Sequence, residues 1–433
     1  MQFATGDGGA AGHIGAVLVL DAAPGFSVAE ARRLLGDRIR SVPRLRQRLY
    51  RAPPGCGRPY WADDPAFDVD KHVRQVRCPP PGDERALLDL AAAQLGEPMP
   101  RSRPLWSATF VTGLADGGIA LLVIVDHVLA DGIAGLTVLG TLVDQVAETA
   151  EPRADRFPAP APQTWELAAD AWRGRLHRTG PAEPGTPRQA RGLRRIRDGI
   201  AELGGARPPR RLPATSLNRP VGPRRRLDVV SVDLAGIRDL GHAHGGTVND
   251  VVLAAVAGAL RALLAARGEQ LGEVTITVPV AARRAASGGE LGNQIGIMPV
   301  TVPATGDFGA RVTRTAEITR ERKSRARGAS AALFVPAFLL LARTGLLRWF
   351  ANHQRVVHTF VTNLRGPEDR LTFGGAAVRA IIPIPTTTGN VTVTFAASSY
   401  AGTLRVTILS DPARIPDAPA LAGALRLELS APG

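Results

Sequence analysis

The 433-residue sequence predicts an α/β fold, α+β in its details, with mixed sheets flanked by helices. Three observations predict it. Strand-length apolar runs interleave with helix-period segments in both halves of the chain. Tight turns, "ADGG" (115–118) and Ala401–Gly402, join neighbouring strands into hairpins. A Pro- and Arg-rich stretch separates the halves, giving residues 1–150 as an N-terminal lobe, 151–215 as a partly helical linker and 216–433 as a C-terminal lobe.

The elements follow in order. "HIGAVLVLDAA" (13–23) has strand character, and "SVAEARRLLGDRI" (27–39) continues at helical period, with Ser27 and Glu30 in capping-box spacing. "RALLDLAAAQLGEP" (85–98) is a second helix, stopped by Gly96 and Pro98. "LWSATFVTGL" and "GIALLVIVD" are strands, and Ile133, Leu136, Leu139, Val143 and Val146 share one face of a following helix. In the second half, "RRRLDVVSVDLAGIRDL" (224–240) reads as strand then helix, and "TVNDVVLAAVAGALRALLAA" (247–266) as a strong helix. Segments 273–283, 295–303, 356–364, 391–400 and 403–411 read as strands.

An apolar content of 45% against 21% charged is that of a globular chain. The net charge of +14 suggests an anionic partner, but only Lys71 and Lys323 among 53 basic residues are lysine, which fits a base-composition bias of the genome. The basic residues lack the interleaved aromatics of single-strand binding, so no nucleic-acid partner is expected. Cys56 and Cys78 have no metal or disulfide spacing, and a reducing cytoplasm is the expected setting, without a metal site. The N-terminus shows no signal-peptide pattern, and no uninterrupted apolar stretch reaches the ~20 residues of a membrane span. Segment 331–350 carries Phe334, Leu339, Leu340, Leu346, Leu347, Trp349 and Phe350 beside arginines. It reads either as a broken core helix pair or as a surface that dips into a membrane interface from the cytoplasmic side.

The chemistry points to "IVDHVLADGIAG" (124–135). A buried strand ends in Asp126–His127, and Asp131–Gly132 follows at the start of a helix. A neutral imidazole fixed at a strand-to-helix junction suits a general base, Asp131 suits an arginine partner that braces the loop, and Gly132 leaves room for a substrate chain. The other reading is a histidine that only caps a strand.

The His127-x3-Asp131-Gly132 pattern resembles the second half of the His-His-x3-Asp-Gly motif of the CoA-dependent acyltransferase superfamily. The chain as a whole is similar to its bacterial wax ester synthase/diacylglycerol acyltransferase family. "VPRLRQRL" (42–49), "FDVDKHV" (67–73), "RSRPLW" (101–106), "SLNRPVGPRRR" (216–226), "TVNDVVLA" (247–254), "VPVAAR" (278–283), "GGELGNQIGIMPVTVP" (288–303), "TNLRGP" (362–367) and "SYAGTLRVTILSDPARIPD" (399–417) carry the resemblance in order over nearly the whole chain.

The resemblance implies two chloramphenicol-acetyltransferase-like lobes with an active-site channel between them. It also implies acyl-CoA as co-substrate, a lipid alcohol as acceptor and no resident cofactor. His127 is then the base, and Asp131 pairs with Arg283, or with Arg284 as a fallback. Asn249, Asp250, Asn293 and Asn363 are channel candidates that read equally as caps and turn formers. The family's first histidine is here Asp126, and the chain opens close to its first strand. Both departures bear on acceptor choice, and keep in view an acyltransferase for a natural-product scaffold or a silent acyl-CoA-binding relative.

Overall fold

The structure is a computed structural model that describes residues 12–23, 25–40, 42–57, 59–129, 140, 142–144, 157–179, 211–281, 295–325, 340–341 and 344–430. In chain order the elements are β1 His13–Leu20, α1 Val28–Arg40, α2 Pro43–Arg46, β2 Gln47–Tyr50, β3 Tyr60–Asp63, β4 Val73–Arg77, α3 Glu84–Leu95, β5 Trp106–Thr112, β6 Ile119–Asp126 and α4 Thr164–Thr179. The second part adds β7 Arg226–Asp233, α5 Leu234–Ala243, α6 Val248–Ala266, β8 Glu273–Ala281, β9 Ile295–Pro303, α7 Phe308–Arg325, α8 Leu347–His353, β10 Thr359–Arg365, β11 Thr372–Phe373, β12 Ala376–Ile384, β13 Val393–Tyr400, β14 Thr403–Ser410 and α9 Ala418–Ser430.

Two six-stranded mixed sheets carry the architecture, in the orders β11-β12-β1-β6-β5-β4 and β7-β14-β13-β10-β8-β9. The sheets do not follow the chain division at 150 and 216. β12, from the last third of the chain, crosses to the first sheet and pairs antiparallel with β1, from Gly15↔Ile384 to Leu20↔Val378. The crossover is pinned from both sides. The buried Tyr400 hydroxyl donates to the Val378 carbonyl at 2.7 Å and accepts the Leu371 N–H at 2.8 Å. Asp144 accepts Arg38 of α1 at 2.5 Å and the Gly374 and Gly375 N–H groups at 2.9 and 3.0 Å. Burial pushes the Asp144 carboxyl up, but the Gly375 N–H, the Arg38 guanidinium, the Thr372 hydroxyl and the Gly374 N–H outweigh it and leave the pKa at about 2.

β6 is buried on both faces, which is why it reads as one apolar run. Leu121, Val123 and Val125 join a core under α1 and α2, while Ala120, Leu122 and Ile124 face α3 and the second sheet. Leu227 and Leu409 of the second sheet pack into that same inter-sheet layer, and Arg85 of α3 meets Asp228 of β7 at 3.1 Å. α6 is apolar on every side from Val251 to Leu260 and lies there inside the second core, where it packs among α9, α7 and the sheet. By length and composition alone α6 is also apolar enough to cross a membrane, but most of it is buried within the fold. At Gly258 on α6 an added Cβ would lie 2.0 Å from the Arg311 guanidinium that reaches across to Glu428, so a larger residue there would push this side-chain pair aside. Cys56 and Cys78 are both unpaired.

Candidate active site

β6 delivers Asp126 and His127 to one end of the first sheet. The sequence continues there into a turn, because Asp126 uses its side chain as a local backbone partner. Its carboxylate accepts the Val128 N–H at 2.8 Å and its carbonyl accepts the Leu129 N–H at 2.8 Å. The Asp126 N–H reaches Leu105 O, and the His127 N–H reaches Gly12 O at 2.9 Å, so the backbone of this pair is tied to the chain leading into β5 and the chain leading into β1. Leu129, 1% exposed, plugs into the first core and closes the turn. His127 itself is half-buried.

The same sheet end gathers residues that local patterning did not mark. His13 opposes Asp126 in the β1–β6 register, is buried, and places Nδ1 2.9 Å from the Leu95 carbonyl, so Nδ1 carries the proton in this contact. Next across the sheet, β12 ends at Ile384, opposite Gly15. Three residues on, Thr387 is 1% exposed, and its hydroxyl has no hydrogen-bond partner among the described residues. The chain then enters a polar joint of the second lobe, where Asn390 bonds Gln354 and Gln354 bonds the Val357 carbonyl. The only signal for these positions is pairing between distant segments.

Two other histidines are structural. His72 stacks on Trp106 with ring centroids 4.4 Å apart and bonds the Trp106 carbonyl, and burial lowers its pKa. His358 accepts the Thr275 N–H at 3.0 Å, and burial pushes its pKa down to about 4.

The channel candidates separate. Asp250 is buried and acts as a helix cap. It accepts the Thr247 N–H and hydroxyl at 2.8 and 2.7 Å and the Thr319 hydroxyl at 2.6 Å. Asn249 lies beside it in the first turn of α6, half-buried. Asn363 is in the middle of β10, paired with Ala397, so it is a strand residue and not a turn former. Asp131, Gly132, Arg283, Arg284 and Asn293 lie outside the described residues. Among the described residues no group of three His, Cys, Asp or Glu side chains could hold a metal ion.

This arrangement can present one imidazole, with its backbone fixed, at the end of the first sheet. The signature of the wax ester synthase/diacylglycerol acyltransferase catalytic domain matches residues 4–252, and that of the family's C-terminal domain matches residues 291–431. The chain belongs to the wax ester synthase/diacylglycerol acyltransferase family. A Mycobacterium tuberculosis member, named a probable diacylglycerol O-acyltransferase, is 31% identical over 403 residues, covering 90% of this chain and 84% of the relative. The wax ester synthase/diacylglycerol acyltransferase of Marinobacter aquaeolei VT8 matches with a TM-score of 0.68 at 23% identity, over 98% of this chain and 94% of that one. The first condensation domain of the calcium-dependent antibiotic synthetase matches with a TM-score of 0.63 at 18% identity, over 98% and 92% of the two chains. The fold is therefore the two-lobed architecture that the sequence predicts for this family.

Proposed function

We propose that this family member transfers a fatty acyl group from acyl-CoA to a lipid alcohol, with His127 as general base. A diacylglycerol acceptor gives triacylglycerol and a long-chain alcohol gives a wax ester. The observation that carries the reading is the turn at the end of β6, which holds His127 by backbone contacts on both sides within the family's motif.

His127 takes the acceptor hydroxyl proton as that oxygen attacks the thioester carbonyl. The C–S bond then breaks, and the imidazolium returns the proton to the leaving thiolate. Base catalysis of this kind contributes about 10² to 10⁴-fold, and co-binding of both substrates supplies the rest through proximity. The chemistry needs no resident cofactor. Asp131 pairs its carboxylate with the guanidinium of Arg283, or of Arg284 as a fallback, from the C-terminal half of the chain, and so braces the loop after His127. Thr387 and Asn363 are assigned to the channel wall; Asn249, Asn293 and the cap Asp250 support its shape.

Because acceptor and product dissolve in lipid, the protein works at a membrane or lipid-droplet surface. Leu340, Leu346 and Trp349, exposed by 63%, 51% and 61%, support that reading of segment 331–350. The test is an acceptor panel with purified protein and palmitoyl-CoA, comparing diacylglycerol, hexadecanol and a short amine by product mass. Ester from a lipid alcohol supports the reading; acylation of the amine alone would replace it with a scaffold acyltransferase.

A further inference from the structure

Two tryptophans stand out of the surface on the helix that links the halves of the fold. On α4, Trp165 is 69% exposed and Trp172 is 60% exposed. Tryptophan is a large ring that folding normally covers. These two are seven residues apart, about two helical turns, so they project from one face roughly 10 Å apart along the axis. The opposite side is used for packing: Leu167 and Ala171 are half-buried, and Ala171 closes on Gly57 in the β2–β3 loop.

The helix is held to the first lobe by the segment that leads into it. Phe157 is clasped between the Arg46 guanidinium, 4.8 Å from its ring centre, and the edge-on Phe67 ring at 6.3 Å. The Ala159 N–H donates to the Asp63 carboxylate at 2.9 Å. The two rings are therefore presented by an anchored element.

Charge says what covers them. Arg51 is exposed in the same β2–β3 loop, and the Arg173 side chain, beside Trp172, is 64% exposed and pairs with Asp170. In sequence, residues 173–211 carry eleven arginines against three acidic residues. Glu166 and Asp170 fall about a third of a turn aside from the tryptophan line. Indole rings flanked by arginine match the boundary of an anionic bilayer, where the ring lies at headgroup depth and the guanidinium meets phosphate.

We propose that α4 is a membrane-docking helix, with Trp165 and Trp172 inserted at the headgroup level of an anionic phospholipid bilayer. This rests on the reading of the protein as an enzyme of a lipid surface, and it names an element other than segment 331–350.

The test is co-sedimentation of the full chain with phosphatidylcholine vesicles, with and without phosphatidylglycerol. Wild type is compared with Trp165→Ser/Trp172→Ser and, separately, with Trp349→Ser. The expected result is binding to phosphatidylglycerol vesicles that weakens with salt and falls about tenfold or more in the double variant. Indole emission of the wild type should shift to the blue on binding. Acyl transfer in detergent solution, unchanged in the double variant, shows that it is folded. Full binding by the double variant, with loss in Trp349→Ser, would overturn α4 as the docking element and leave the lipid-surface reading standing. If wild type ignores both vesicle types, both readings fail. Sedimentation velocity completes the test: a wild-type dimer that the double variant dissolves would assign the face to a second copy of the chain.

Discussion

The Asp126 carboxylate accepts the N–H of Val128 at 2.8 Å, which fixes the turn around the residue between them, His127. Asp126 thus supports the turn that carries His127. Asp126→Asn keeps an oxygen at this position and should retain both stability and activity. Asp126→Ala leaves the amide without its acceptor and should cost about 1 kcal/mol in chemical denaturation. It should also lower kcat about tenfold, because His127, the proposed base, loses its fixed placement. An Asp126→Ala enzyme with unchanged kcat would remove this residue from the account.

Asp250 serves the helix. It joins the first turn of α6 to Thr319 of α7 through three side-chain-accepted hydrogen bonds. Asp250→Ala should destabilise the fold by about 2–4 kcal/mol, combining a lost cap with a buried hydroxyl left unpaired. The folded fraction should keep its KM for acyl-CoA. A raised KM at full stability would instead put Asp250 in contact with substrate.

Much of this was legible in the sequence. The capping box at Thr247–Asp250, the strand ending at Asp126 and the hairpin at Ala401–Gly402 all carry short-range signals, and each stands where patterning puts it. Expectations failed where pairing is long-range. "AAVRAIIPI" is a strand with four β-branched residues that could flag it, but nothing local says that it joins β1, more than 350 residues away in sequence. His13 and Thr387 approach the site only through that register. Asn363, a residue type that favours turns on average, lies inside the strand expected over 356–364, where parallel pairing to β13 overrides the preference.

His358 makes the fold acid-sensitive. Its pKa is about 4 in the folded protein against 6.5 for the free side chain. As pH falls through that interval the unfolded chain binds the proton first, so stability is lost between about pH 6.5 and pH 4, on the order of 3 kcal/mol. The melting temperature of wild type should fall across this window by more than that of His358→Gln. Parallel curves would show that His358 does not contribute.

The proposed pairing of Asp131 with Arg283 predicts coupling. Single Ala substitutions should each reduce activity and lower the melting temperature, and the double variant should be no worse than the weaker single. In general, a charge left without its partner in a buried pair costs about 3–5 kcal/mol, more than removal of the pair. Additive losses in a double-mutant cycle would mean that the two side chains do not meet.

The most direct test of the central claim is CoA release from palmitoyl-CoA with diacylglycerol or hexadecanol, measured for wild type and His127→Ala at equal folded concentration. The account predicts ester formation by wild type and a loss of at least about 10²-fold in the variant, with the KM for acyl-CoA little changed. Equal CoA release and equal ester from both proteins would contradict it, because His127 would then not be the base.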